Sequence, residues 1–289
     1  GFGGFRVGTE TSRIPISEKA IITFTAPVAG TATSRFAINT GAASSVFGAR
    51  SSIFIYGEIP EYQTATLAET ALTGQAELIT SGSTDWVNGD QLVIGKQYIK
   101  AQGITTIPHN VVQSVSGSVI TLTENVLTSN RMAGATVIKL DSHGVKLQNT
   151  GTFSTHTVFN IGNLVISGAD LYNQLFTTLG TSYYFYNTYT KAGCLTQILF
   201  EDITFWTNSN SCSYLITAIV PPLGILMQRC YGFRQNFGNA CIAYYTQHHK
   251  SGRLEIKDSA MIGQYSGTIS TSTNIRETIE NCSFENARA

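Results

Sequence analysis

Asp141 and His143 are the residues best suited to acid–base chemistry, because they stand two positions apart in the chain. An imidazole titrates near neutral pH, so a carboxylate beside it could help to move a proton to or from a substrate. An enzyme acting on a polysaccharide would also need a second carboxylate in the same cleft. Asp202 is the candidate for that role, and these three residues form the catalytic hypothesis.

Asp202 also has a structural interpretation. Glu201 and Asp202 are adjacent on one predicted strand, so their side chains should point to opposite faces and not form a pair. Asp258 would stack on Asp202 if the segment between them places Arg229 at the matching position. Such an Asp-Arg-Asp column is typical of an ion-paired bend, and both interpretations of Asp202 stay open at this point.

Metal and cofactor chemistry is not indicated by any motif. The adjacent His248 and His249 should diverge, and no Cys/His spacing suits zinc. There is no Gly-x-Ser-x-Gly motif, phosphate loop or dinucleotide fingerprint, so we expect no metal and no cofactor. Cys230 and Cys282 are expected as stacked, buried side chains, with one disulfide as the alternative. The five cysteines lie at irregular spacing in the second half of the chain: Cys194, Cys212, Cys230, Cys241 and Cys282.

Clustered tyrosines form the second kind of candidate site. Exposed tyrosine rings offer flat apolar faces to sugar rings and to protein partners. The alternative is that alternate members of the cluster fill a core. The candidate ligand or interface residues are Tyr183, Tyr184, Tyr186, Tyr189, Tyr244 and Tyr245.

The composition favours a rigid β protein outside a cell. Only 12% of the 289 residues are charged, the formal net charge is zero, and 42% are hydrophobic. A chain without a basic stripe has no electrostatic basis for binding nucleic acid, and no apolar run is long enough to span a membrane. The Gly-rich start, residues 1–5, suggests a processed product or a segment of a longer protein.

A degenerate repeat of roughly 25 to 34 residues follows Asn149, which is the length of one coil of a β-solenoid. Each copy has alternating apolar residues, then a polar or small residue at a bend, then a further apolar residue. The aligned segments are 164–168, 198–202, 225–229, 254–258 and 278–281, and the following apolar positions are Leu171, Phe205, Phe233, Met261 and Phe284.

Trp86 opens a motif with a turn at Asn88-Gly89 and a buried strand at residues 92–94. Together with residues 55–60 upstream and 143–147 downstream, this motif resembles the G8 domain, an all-β extracellular module. The resemblance implies a right-handed parallel β-helix after the module, and residues 279–284 resemble a coil of the pectate-lyase type. It also implies functional residues near Asp141 and His143, as in G8-containing proteins that degrade hyaluronan.

The fold expected is therefore all-β, a G8-like module followed by a right-handed parallel β-helix. We expect an N-terminal arm at residues 1–20 that orders only against a partner, the module at residues 21–150 and the coils at residues 151–289.

Two functions remain in view. The first is a non-enzymatic structural or adhesion protein of the tail-spike, fibre or surface-appendage kind, located outside a cell or on a virion surface. It would form a homo-oligomer, a trimer or larger, and could bind a surface polysaccharide. The second is a polysaccharide-degrading hydrolase or lyase with a groove along the coils. They differ in whether Asp141, His143 and a second carboxylate meet in an open cleft.

Overall fold

In the computed structural model of this protein, the described residues are 4–24, 34–38, 52–95, 109–123, 127, 129–149, 155–159, 164–172, 174–178, 197–207, 216–218, 224–234, 242–244, 252–263, 268–270 and 275–286. This part of the chain is almost entirely β, and its only helix is a short 3-10 turn at Ile16–Glu18. The strands in chain order are β1 (Gly4–Val7), β2 (Ala20–Phe24), β3 (Ser34–Ile38), β4 (Ser52–Tyr56), β5 (Thr64–Thr66), β6 (Glu77–Ile79), β7 (Gln91–Ile94), β8 (Asn110–Ser116), β9 (Val119–Leu122), β10 (Thr136–Leu140), β11 (Val145–Asn149), β12 (Thr155–Phe159), β13 (Leu164–Tyr172), β14 (Gln174–Thr178), β15 (Gln197–Thr207), β16 (Ile216–Ala218), β17 (Gly224–Arg234), β18 (Ile242–Tyr244), β19 (Gly252–Lys257), β20 (Ala260–Gly263), β21 (Thr268–Ser270), β22 (Ile275–Glu280) and β23 (Ser283–Asn286).

Parallel strands stack in three columns, which the chain visits in turn before it returns to the first. The first column runs β1, β4, β13, β15, β17, β19 and β22. The second runs β2, β11, the second halves of β13, β15 and β17, then β20 and β23. The third contains β3, β12, β14 and β16, with β18 paired to β21. This repeated return along parallel neighbours is a β-solenoid, and it confirms the predicted fold class.

A left-handed backbone conformation separates the first column from the second in five successive coils. Strand register places the five residues above one another, and four of them are not glycine. This conformation turns the chain sharply, and Gly, Asn and Asp adopt it at the lowest cost. The column consists of Gly168 (φ 66°), Asp202 (φ 48°), Arg229 (φ 50°), Asp258 (φ 49°) and Asn281 (φ 51°).

The predicted register of the repeat is confirmed up to this bend and wrong at one position after it. Leu171, Phe205, Met261 and Phe284 follow one another in the second column, but Gly232 stands between Phe205 and Met261 where Phe233 was expected. A Cβ atom on Gly232 would lie 2.2 Å from Cζ of Phe205. The Phe205 ring thus fills the space of a side chain at position 232. Phe233 points out of the solenoid and is buried against other side chains there.

The N-terminal segment is part of the solenoid and not a free arm. β1 pairs in parallel with β4, and β2 pairs in parallel with β11. The backbone N–H of Ile14 donates to Tyr56 O at 3.1 Å, which adds a further contact with the same coil. Residues 4–20 thus pair with strands of the same chain, which differs from the expected arm at residues 1–20 that orders only against a partner.

An antiparallel sheet is inserted into one coil, between β4 and β11. Its strand order is β5-β10-β7-β8-β9-β6. β8 and β9 form a hairpin, with Ser116 opposite Val119 across the Gly117 turn. Trp86 is 3% exposed, and its indole N–H donates to Tyr62 O at 2.7 Å. We call residues 58–143 the insert. It lies within a coil of the solenoid, because β2 and β4 before it already pair with solenoid strands. This arrangement differs from the expected order of arm, module and coils.

Among the described residues, three apolar cores hold these parts together. The first fills the solenoid, with Ile55, Leu171, Phe200 and Met227 among its members. The second lies inside the insert around Trp86. The third joins the insert to the outer face of the second column, and burying each large side chain there stabilises the contact by about 1.5–3 kcal/mol. Its buried members are Val93, Ile138, Leu140, Trp206, Phe233 and Ile262.

Candidate functional site

The candidate site lies where the insert returns to the solenoid, just before β11. His143 is fully buried there. Its ring Nδ1 lies 2.9 Å from Oδ1 of Asp170, and its backbone N–H donates to Oδ2 of the same carboxylate, also at 2.9 Å. An ionised carboxylate only accepts hydrogen bonds, so Nδ1 carries the proton. Asp170 lies in the second half of β13, which pairs with β11 and so holds it opposite the turn.

The other ring nitrogen of His143 is also occupied. The side-chain amide of Gln63 donates to Nε2 at 2.8 Å and to Oγ1 of Thr204 at 3.2 Å. Gln63 is the residue before β5, at the start of the insert, and Thr204 lies in β15. His143 therefore joins both ends of the insert to two coils of the solenoid, and both of its ring nitrogens are bonded inside the protein.

Asp170 is an ionised carboxylate without contact with solvent. Its side chain is 0% exposed, and Nζ of Lys19 lies 3.2 Å from Oδ2. Burial alone would raise its pKa, but the charge and hydrogen bonds of His143, followed by the charge of Lys19, hold the pKa below its ordinary value. The result is a buried carboxylate that is charged at neutral pH and bonded on both oxygens.

Asp141 does not contact His143 through any hydrogen bond that the structure records. Its carboxylate binds Nζ of Lys19 at 2.7 Å and Nζ of Lys146 at 2.5 Å. Asp141 has φ 56°, and this left-handed turn directs it toward the two lysines. The geometry thus separates the predicted pair and assigns His143 a different carboxylate, Asp170.

Asp202, the proposed second carboxylate, belongs to the bend column and is held by Arg229. Nε and Nη2 of Arg229 donate to its two oxygens at 2.5 and 2.9 Å. Nη2 also donates to Oε1 of Glu201 at 2.8 Å. The expectation that Glu201 and Asp202 diverge is wrong, since the left-handed bend at position 202 interrupts strand alternation. Below this group Asn281 donates to Asp258 at 3.1 Å, so the column continues without an ion pair from Arg229 to Asp258.

Sequence reasoning missed Asp170 and Gln63. Asp170 had a signal, because it is a charged residue inside the otherwise apolar stretch of β13. Gln63 had none, since it meets His143 across 80 positions of chain. The arrangement can fix two chain segments in place and can hold a carboxylate ionised. Each of its three carboxylates, Asp141, Asp170 and Asp202, binds a cation of the same chain.

The tyrosine candidates lie largely outside the described residues. Tyr183, Tyr184, Tyr186, Tyr189 and Tyr245 are not among them, and for Tyr244 only the backbone in β18 is described. Among the described cysteines, Cys230 and Cys282 are free thiols at matching positions of two coils, with Ser259 between them in register.

Within the described ranges, no group of three or more His, Cys, Asp or Glu side chains is arranged to hold a metal ion. The same ranges include no helix with the length and apolar character to cross a membrane.

Comparison with known proteins gave structural neighbours only. No protein family and no curated protein sequence matched the chain. The solved structures that match include tailspikes of bacteriophages. The tailspike gp61 of Pseudomonas phage phi297 is 13% identical, with a TM-score of 0.29, over 92% of this chain and 52% of that one.

Two further tailspikes match at a similar level. Gp54 of Acinetobacter baumannii bacteriophage AP22, solved in complex with A. baumannii capsular saccharide, is 10% identical with a TM-score of 0.27, over 98% of this chain and 65% of that one. Gp49 of Pseudomonas phage LKA1 is 11% identical with a TM-score of 0.26, over 92% and 67%. The chain thus spans between half and two thirds of the length of these proteins. The solenoid itself is established by strand pairing and does not depend on these matches.

Proposed function

We propose that this chain is a structural and adhesion element of a surface appendage, of the tail-spike or fibre kind, which works outside a cell or on a virion. The observation that carries the proposal is the unbroken first column, in which seven parallel strands from β1 to β22 are hydrogen-bonded in sequence. A solenoid of this kind is stiff along its axis, because each coil is bonded to both neighbours. Stiffness is the property that an appendage needs.

The charges of the candidate site support a structural role over catalysis. Lys19 and Lys146 hold Asp141, His143 and Lys19 hold Asp170, and Arg229 holds Asp202. A general acid or base must present a titrating atom to substrate, whereas His143 uses both ring nitrogens inside the protein. These pairs instead fix the coils and the insert relative to one another.

We further propose that the insert is a G8-like module, that the assembly is a homo-oligomer of three or more chains, and that the tyrosine cluster contacts a surface polysaccharide. Trp86 and its turn support the first point, because they lead into β7 within one antiparallel sheet. The abundance of tyrosine at residues 183–189 supports the last point through the stacking of rings on sugar faces.

The first experiment is a binding and degradation assay on the intact protein with capsular or other surface polysaccharides. Binding is measured by biolayer interferometry, and chain shortening by size-exclusion chromatography of the glycan. We expect binding without shortening, and light scattering should give a mass of three or more chains. A triple Tyr183→Ala, Tyr184→Ala, Tyr186→Ala variant should lose at least tenfold in affinity, while the matched Tyr→Phe variant should keep it.

The enzyme alternative makes the opposite prediction for the same assay. Polysaccharide shortening that Asp202→Asn abolishes without loss of folding would overturn the structural proposal. Unchanged binding by the triple alanine variant would remove the tyrosine cluster as the binding site and leave the structural role standing. A monomer by light scattering would contradict the oligomer.

A further inference from the structure

Arg131 is the largest fully buried side chain among the described residues, at 0% exposure. Its backbone forms a two-residue antiparallel bridge with Ala71, through hydrogen bonds of 2.8 and 2.9 Å. Ala71 belongs to the apolar core of the insert. The guanidinium is thus held beside an apolar core.

One edge of this guanidinium has no protein partner among the described residues. Nη1 donates to the backbone O of Ser129 at 3.3 Å and to the hydroxyl of the same residue. Nε and Nη2 are both buried and both lack a hydrogen-bond acceptor in this part of the chain. These two nitrogens project their hydrogens side by side from one edge of the planar group, in the geometry that takes two oxygens of one anion.

In the same protein, the corresponding edge of the Arg229 guanidinium is occupied by a carboxylate. In Arg229, Nε and Nη2 hold the two oxygens of Asp202 at 2.5 and 2.9 Å. Arg131 has the same pair of donors in a more buried place, where an uncompensated charge is more costly. Burial lowers the pKa of Arg131 to about 10, which still leaves the group charged at neutral pH.

We propose that Arg131 binds a small oxyanion, which places two oxygens on Nε and Nη2 and serves as the internal counter-ion of the insert. The ligand class is a small carboxylate or a planar or tetrahedral inorganic oxyanion. The neighbours Asn130 and Met132 are exposed, so the segment that carries Arg131 lies at the surface of the insert. The site is independent of the proposed adhesion role.

The test is thermal unfolding of the intact protein in increasing acetate or nitrate, at constant ionic strength with chloride as the replaced salt. Nitrate does not strengthen protein folding in general, so stabilisation by it indicates binding. A ligand that binds only the folded state raises the Tm with the logarithm of its concentration above its Kd. Equilibrium dialysis with labelled acetate should then give one bound anion per chain.

Two variants separate this site from general salt effects. Arg131→Met keeps the length of the side chain and removes the donors, so it should lose both the Tm increase and the bound acetate. Arg229→Met removes an arginine whose edge is already filled by Asp202, and it should keep both.

The dialysis of the wild-type protein decides the outcome even if Arg131→Met does not fold. Uptake of no anion by the wild type would overturn the proposal, and this result is also expected if a carboxylate from outside the described residues fills the edge. An equal Tm increase in wild type and in Arg131→Met, or in wild type and Arg131→Lys, would overturn it as well.

Discussion

Asp170 accepts two hydrogen bonds from His143, one from the backbone N–H and one from ring Nδ1, and each is 2.9 Å long. Asp170 belongs to the solenoid, whereas His143 stands at the point where the insert ends. Gln63, near the start of the insert, bonds the opposite side of the same ring. His143, bonded to Asp170 on one side and to Gln63 on the other, thus holds both the start and the end of the 86-residue insert, residues 58–143.

Replacing Asp170 should destabilise the protein severely. Asp170→Ala leaves His143 and Lys19 without their buried carboxylate, and loss of one member of a buried pair costs about 3–5 kcal/mol. The measurement is the free energy of unfolding in urea. Asp141→Asn is the matched control, because that side chain is 38% exposed and Asn tolerates its positive φ. The control should lose about 1 kcal/mol or less, and equal losses in the two variants would contradict this assignment.

Acid should weaken the same contact with a definite sign. The pKa of Asp170 is lowered in the folded state, because His143 and Lys19 together outweigh the effect of burial. The stabilisation is therefore complete above the unfolded pKa of Asp, about 3.9, and is lost as the pH falls through the lower folded pKa. Urea unfolding between about pH 6 and pH 2 should show a steeper loss for wild type than for Asp170→Asn. Parallel curves would show that Asp170 is not the titrating group.

Gly168 should not tolerate a side chain, although other residues stand in the same column. A Cβ atom at position 168 would lie 2.0 Å from the backbone O of Gly57. Gly168→Ala should therefore cost about 3 kcal/mol or more, the range of severe backbone clashes. Asp258→Gly is the control at an equivalent bend, where glycine relieves a strained φ of 49°. We expect it to change stability by less than about 1 kcal/mol, and a mild Gly168→Ala would show that the coils can separate there.

Cys230 should accept serine better than alanine. Its thiol donates to the backbone O of Gln228 at 3.4 Å, and Ser259 in the next coil makes the equivalent bond to Lys257 at 2.6 Å. A hydroxyl can thus take the place of the thiol in this column. The free energy of unfolding of Cys230→Ser should exceed that of Cys230→Ala by about 1 kcal/mol, the usual value of one buried hydrogen bond.

The opposite order of the two variants would mean that Cys230 acts only as an apolar group. Thiol labelling gives a second measurement, since burial and the nearby charge of Asp202 raise the pKa of Cys230 well above its ordinary value. Labelling of Cys230 by iodoacetamide should follow unfolding in urea, because the thiolate is the reactive form. Rapid labelling of Cys230 in the native protein would contradict its buried position.

The coils were predictable from sequence because each repeats one chemical pattern. Apolar residues alternate up to a bend, and the bend residue is Gly, Asp, Arg, Asp or Asn in successive coils. That pattern located the register of residues 164–168, 198–202, 225–229 and 254–258 correctly. The pattern was wrong at Phe233, because the residue in register there is Gly232. The Phe205 ring fills the space of a side chain at position 232, and the sequence of either residue alone does not show this.

The insert was harder to place, for a physical reason. Its antiparallel strands alternate in hydrophobicity just as the solenoid strands do, so sequence alone does not tell which partner β2 or β4 takes. The partners of His143 were hidden for a similar reason, because Gln63 and Asp170 meet it only after distant segments have been brought together. Candidate residues close in sequence, such as Asp141, were therefore favoured over the actual contact.

The insert leaves and re-enters its coil at nearly one point, since the backbone N–H of Gly144 donates to Glu58 O at 3.0 Å. In terms of chain connectivity, the insert could be deleted, because joining residue 57 to residue 144 would connect β4 to β11 by an ordinary turn. The third core opposes such removal, because Trp206, Phe233 and Ile262 would then face water. A different module at this position must therefore cover the same apolar side chains of the second column. The exchange of such modules among solenoids is thus restricted by the shape of the module's apolar surface and not by the length of its chain.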